Sequence, residues 1–327
     1  MRTFILRRII ILIPLFLVIS MFIFMIIQLP PGSYIDNYIM ELRLQGQDVG
    51  QAEIEALTRM YGLDQPIHVQ YVRWFSGFMT GDLGYSLALK QPVGEIIMSR
   101  LGYTILISVL VIVFQWVVSI PIGLYSAVHK YTVGDYVVTF LGFIGLSIPN
   151  FMLALIIMYI GYRYFGANLT GLFSIEFINQ PWSFAKFMDM LSNIWVAVIV
   201  VGTAGTAGFI RVLRSQMLDE LGKAYVQTAR AKGLHERVVI VKHTLRVAIN
   251  PVISTVGWIL PRIFSGSAIV AIVLGLPTLG PALLNSILAQ DMYLAGDIIL
   301  IQTILVLIGT LISDIALAAV DPRIRYE

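Results

Sequence analysis

Three polar residues inside the long apolar runs of this 327-residue chain are candidates for binding chemistry. Arg262 lies in WILPRIFSG, about 11 residues into its run, or roughly 16 Å at helical rise. Asp314 lies deep in the last run, and Asn150 follows Pro149 in the middle of another. A guanidinium can hold a carboxylate through two parallel hydrogen bonds, while a carboxylate or amide can hold an ammonium or a peptide group. Burying a guanidinium at mid-membrane costs at least ~2.5 kcal/mol on insertion scales, so Arg262 requires a compensating environment. The plainer alternatives are an ion pair or pore-wall hydrogen bond for Arg262 and a helix-packing hydrogen bond for Asp314. Asp297, near the outer end of the last run, reads as solvated. Covalent and metal chemistry find no footing. There is no cysteine, and His68, His129, His235 and His243 form no metal-ligand spacing. No cluster of nucleophile, base and oxyanion donors occurs, and no G-x-x-x-x-G-K-[ST] phosphate loop, so the chain does not read as an enzyme.

The elements that position these residues are membrane spans. The chain is 58% hydrophobic and 13% charged, against about 25% charged in soluble domains, and its mean hydropathy is +0.84. Six runs are long enough to cross a bilayer: 9–29, 103–128, 136–164, 190–210, 251–275 and 295–319. Lipid offers no partner to free backbone groups, so the expected fold is all-α with six transmembrane helices. The first run is too long for a signal-peptide core and leads into Pro30 and Pro31 without a cleavage site, which predicts an uncleaved span. With the N-terminus inside, the inside segments hold 14 of the 22 Lys and Arg and 6 of the 19 acids, a net +8, so both termini are expected in the cytoplasm. The chain then divides into residues 1–100, a helix plus a long external region, and 101–327, a five-helix core with a cytoplasmic loop at 211–250. Pro149 predicts a bend in the third span. The small residues of GTAGTAG, 202–208, predict close helix packing, within the bundle or against a second subunit. Phe173, Trp182 and the other aromatics of the 162–187 loop read as an interfacial belt.

The loop at 211–250 holds YVQTARAKGL, Tyr225 to Leu234. Thr228, Ala229 and Ala231 are small, so another surface can come close. Gly233 is placed to end a helix, and Arg230 and Lys232 lie in its last turn, where cations suit the dipole. An amphipathic helix on the headgroups is one reading; a docking knob for a cytoplasmic partner is the other.

This segment resembles the EAA loop of ABC-importer permeases of the dipeptide/oligopeptide/nickel class. Gln227, Thr228 and Ala229 stand at the Glu-Ala-Ala positions, three residues before Gly233, and His243, Leu245, Arg246, Ala248 and Pro251 continue the class pattern. "YGLDQPIHVQYVRWF", "GDLGYS" and the ending "DPRIRYE" resemble further parts of that family, so the resemblance covers nearly the whole chain. It implies a type I importer permease fold with a cytoplasmic coupling helix. Tyr225, Gln227, Thr228, Ala229, Arg230, Lys232, Gly233 and Leu234 would dock it to an ATPase. It implies a second, related permease subunit, two cytoplasmic ABC ATPase subunits that carry ATP and Mg, an external solute-binding protein and a lipid bilayer, with no cofactor on this chain and no nucleic acid. Arg262, Asp314 and Asn150 are the candidate translocation path. The implied solute is a short peptide, with a short oligosaccharide as the alternative. A self-contained secondary transporter or channel is the competing class, and the Tyr225–Leu234 loop and the lack of several buried ion-coupling charges argue against it.

Overall fold

A computed structural model describes residues 2–29, 39, 44, 50, 54–56, 58–59, 64–86, 88–254 and 256–320. Helices α1 (Arg2–Gln28) and α2 (Ile67–Thr80) come first, then a two-residue antiparallel pair, β1 (Tyr85–Ser86) and β2 (Gln91–Pro92), with Tyr85 opposite Pro92. There follow α3 (Val93–Val128), α4 (Val133–Ser147), α5 (Asn150–Phe165), α6 (Phe184–Leu221) and α7 (Ala224–Ala231). A short α8 (Glu236–Val238) runs through a π-helical stretch, Val239–Thr244, into α9 (Leu245–Ala248). The chain ends with α10 (Asn250–Ser254), α11 (Val256–Val273), α12 (Leu279–Leu288) and α13 (Met292–Val320).

Among the described residues, α1, α3, α6 and α13 are long and apolar enough to cross a membrane, and the bent pair α4–α5 makes five if it counts as one span. The third expected span is therefore more than a kinked helix: α4 and α5 meet at 99°. Proline disfavours helical geometry in the residue before it, and Ile148 is extended, at φ −87°, ψ 120°. Met152 and Leu153 then donate to the Pro149 carbonyl and start α5 afresh. The run at 251–275 is divided between α10 and α11. The fourth span is longer than expected, 38 residues instead of 21, because the helix continues through Arg211, Arg214, Asp219 and Glu220. The loop expected from 211 thus begins after Leu221.

The chain forms two compact units. The first comprises Met1–Arg8, Tyr103–Pro277 and Val306–Glu327. Its core is built on α6, whose Val196, Ala197, Val200 and Leu213 are buried against residues of α3 such as Ile107 and Val111. The GTAGTAG segment packs inside this unit. A Cβ on Gly202 would stand 2.4 Å from the Phe114 ring and one on Gly205 2.2 Å from the Gln115 amide. Gln115 Nε2 donates to the Gly202 carbonyl at 3.2 Å and Ser119 Oγ to that of Thr206 at 3.2 Å. Gly202→Leu is expected to overpack this contact and destabilise the protein by about 3 kcal/mol, read as a lower melting temperature in detergent; an unchanged melting temperature would show that α3 and α6 can part freely.

Two aromatics of the expected belt are used internally instead. Lys186 is buried. Its ammonium donates to the carbonyls of Ile178 and Gln180 at 3.2 and 2.6 Å, and lies 4.8 Å from the centre of the Phe173 ring and 5.9 Å from that of Trp182. Tyr103 packs on both rings. Tyr162, Tyr164, Phe165 and Phe184 remain exposed.

The second unit comprises Ile9–Gly102 and Thr278–Leu305. Trp74 of α2 is buried with Ile23, Phe24 and Leu300. Val93, Ile96 and Ile97 pack on Leu279, Leu294 and Ile298. Asp291 caps α13 by accepting from the Leu294 N–H at 3.2 Å and fastens the strand pair by accepting from Ser86 Oγ at 2.6 Å. Burial pushes its carboxyl above the usual range.

Candidate functional site

The distinctive surface feature is α7. Only Gly222 and Lys223 separate it from α6, and Tyr225 reaches back to donate to Glu220 Oε2 at 2.6 Å. Burial and that hydrogen bond hold the Tyr225 hydroxyl above its usual range. Val226 and Ala229 are buried against Val239 of the π-helical stretch. Ala224, Gln227, Thr228 and Ala231 form the exposed side. Ala229, expected to help seat a partner, is thus committed to the chain's own packing, and the outward small residues are Ala224, Thr228 and Ala231. This is helical periodicity, with i, i+4 and i+7 sharing one face.

The end of α7 is a Schellman motif. The Gly233 N–H donates to the Arg230 carbonyl at 2.9 Å and the Leu234 N–H to that of Ala229 at 3.3 Å. Gly233 sits at φ +74°, the left-handed region that glycine enters without penalty. Arg230 then clamps the following turn through Glu236, at 2.6 Å from Nη2 and 3.1 Å from Nε. Hydrogen bonding to Arg230 lowers the Glu236 carboxyl below its usual range. A depressed carboxylate stabilises above the unfolded value, so the clamp holds at neutral pH and is lost as pH falls through the folded value. Both partners are half exposed, so its contribution is small. Tyr225, Gln227, Thr228, Arg230, Lys232, Gly233 and Leu234 are therefore brought together as one exposed, capped projection.

The candidate path residues fall on three different helices, α5, α11 and α13. Asn150 opens α5. Arg262 falls on α11 beside Pro261, and its side chain lies outside the described residues. Asp314 pairs with Arg8 of α1, Oδ2 to Nε at 3.3 Å.

Among the described residues four further charged side chains are buried: Asp135, Lys186, Asp291 and Asp297. Each is held by the chain itself. Asp297, expected to be solvated, is 1% exposed and accepts from Trp74 Nε1 at 2.8 Å, while its Oδ2 has no partner among the described residues. Asp135, at the start of α4, is bound by Arg214 of α6 through Nη2 at 2.7 Å and Nε at 3.0 Å. Among the described residues no group of His, Cys, Asp and Glu is placed to hold a metal ion.

Long apolar helices, with the short capped α7 between two of them, define a multi-pass membrane protein. The chain belongs to the binding-protein-dependent transport system inner membrane component family: residues 119–326 match that family's description and residues 1–108 match its N-terminal component. It is 37% identical over the full length of both chains to the oligopeptide transport system permease protein AppB of Bacillus subtilis. It is 32% identical to a putative peptide permease protein of Brucella ovis, over 99% of each chain. It is 30% identical to the dipeptide transport system permease protein DppB of Escherichia coli K12, over 100% of each.

Proposed function

We propose that this chain forms half of the membrane pathway of an ATP-driven importer of short peptides. It works by alternating access beside a second, related permease. An external binding protein delivers the peptide, and two cytoplasmic ATPase subunits that carry ATP and Mg drive the change. The observation that carries this reading is α7, a capped helix with a small, exposed face, two residues beyond the end of the 38-residue α6. Such a face admits close approach of a soluble surface, and α6 carries its displacement into the membrane. Family membership supports the partners, and the names of the three relatives favour peptides over oligosaccharides. In this reading there are six spans, α10 and α11 completing the fifth, with both termini and α7 in the cytoplasm. Residues 1–100 supply a helix and an external region, and 101–327 the five-helix core. Arg262, Asp314 and Asn150 are the residues proposed to face the solute, with Arg262 suited to a peptide carboxylate.

The test is transport by the assembled complex in vesicles with the external binding protein present. Labelled trialanine is expected to accumulate only when Mg-ATP reaches the ATPase side. Accumulation by this chain alone under an ion gradient would place it instead among self-contained transporters, and uptake of maltotriose but not trialanine would reverse the substrate assignment.

A further inference from the structure

Asp135, one of the buried acids, joins three helices. Asp135 accepts four hydrogen bonds on two oxygens. Oδ1 takes Ser126 Oγ and Arg214 Nε at 3.0 Å; Oδ2 takes Arg214 Nη2 at 2.7 Å and the Tyr131 N–H at 2.9 Å. Arg214 Nε also reaches Ser126 Oγ at 3.1 Å. One guanidinium on α6 thereby binds the end of α3 and the start of α4 together. The same carboxylate shapes the turn between those helices, because Tyr131 is held at φ +63°, a conformation uncommon for a non-glycine residue. Thr132 caps α4 by accepting from the Asp135 N–H. Beside the clasp, α3 and α6 lie close: a Cβ on Gly123 would stand 3.2 Å from Leu213.

The clasp lies seven residues, two helical turns, before the end of α6, and Tyr225 of α7 is tied to Glu220 on the last of those turns. Apolar side chains can slide past one another by small steps. A buried carboxylate with all its lone pairs used cannot, since any shift of Arg214 leaves an uncompensated charge. Displacement of α6 must therefore either carry the α3–α4 turn along or break the clasp outright.

We propose that Arg214 and Asp135 are positioning residues for energy coupling, delivering motion of α7 and α6 to the α3–α4 turn; this rests on the docking role given to α7 above. The alternative is a staple that only stabilises the fold. The experiment uses the assembled transporter with a fluorophore on Val137→Cys, an exposed position on α4, and reads the signal change on adding Mg-ATP. Arg214→Lys keeps the charge and loses the fork; Asp135→Asn keeps the shape and loses the charge. Each is expected to cut the nucleotide-driven change about tenfold while the ATPases stay bound, and the double variant is expected to be no worse than the worse single one. A pure staple predicts a lower melting temperature with the full signal change in the complexes that form, and that result overturns the proposal, as does an unaltered protein whose signal ignores nucleotide. If neither variant assembles, Ser126→Ala decides, since it spares the ion pair: about a threefold loss is expected, and no loss overturns the proposal. Release of the ATPases is read separately by co-purification. A failed docking role and a failed clasp are thus told apart.

Discussion

Replacing Ala231 by arginine is expected to release the ATPase subunits and lower peptide uptake by about a hundredfold, the size of effect that follows when a central, close-packed interface position is disrupted. Ala231 is exposed on the outward side of α7, so the new side chain harms nothing within the chain, and the purified permease should melt as before. Gly233→Val is expected to act through shape. Glycine holds φ +74° there; a β-branched residue resists that region at a cost of about 1–2 kcal/mol, so the helix end frays and Leu234 is re-aimed. Co-purification of the ATPases and ATP-dependent uptake measure both variants, and wild-type values in both would remove α7 as the docking element. Ala229→Arg does not serve this purpose, because Ala229 packs on Val239 and its replacement would disrupt the projection itself.

Trp74→Phe is expected to cost about 2–4 kcal/mol of stability, more than a ring exchange among aromatic neighbours would suggest. Among the described residues the indole N–H is the side-chain donor to Asp297, at 2.8 Å, and the other carboxylate oxygen is without a partner. Phenylalanine would leave a buried carboxylate with neither oxygen satisfied by a side chain. Removing the acid as well should recover part of the loss, since a polar group is expensive chiefly when its partner alone is taken away. Thermal unfolding of Trp74→Phe, Asp297→Ala and the double variant closes the cycle. Equal cost of Trp74→Phe with and without Asp297 would show that the two side chains are not coupled.

Local signals were readable in the sequence; distant pairings were not. The end of α7 is legible because a glycine after two cations has one common use, and the core of each long helix is legible because twenty apolar residues leave little choice. The end of α6 was misplaced by eleven residues, since a helix leaving lipid acquires charges such as Arg211 and Asp219 without ceasing to be a helix. Asp135 and Arg214 are 79 residues apart, and Trp74 and Asp297 are 223 apart. No periodicity links such positions, so the sequence alone places each acid only by its position along the chain. Ala229 was grouped with the outward residues because small side chains carry no mark of which face they occupy. The π-helical stretch at Val239–Thr244 has no sequence signature at all.

The break at Pro149 bears on the thickness of the bilayer this protein can inhabit. Its two arms have 15 and 16 residues, roughly 22–24 Å of helix each, and a 99° angle keeps them from running along the membrane normal together. Neither alone matches a hydrocarbon layer of about 30 Å. Both present large apolar side chains, among them Phe140 and Phe143 on one arm and Phe151 and Leu155 on the other. Covering those faces requires neighbouring protein or a locally thinned lipid layer, each at a modest cost per ångström of mismatch. Where lipid rather than protein covers those faces, acyl-chain length becomes a variable of this permease's energetics, acting at a corner that cannot adjust by tilting.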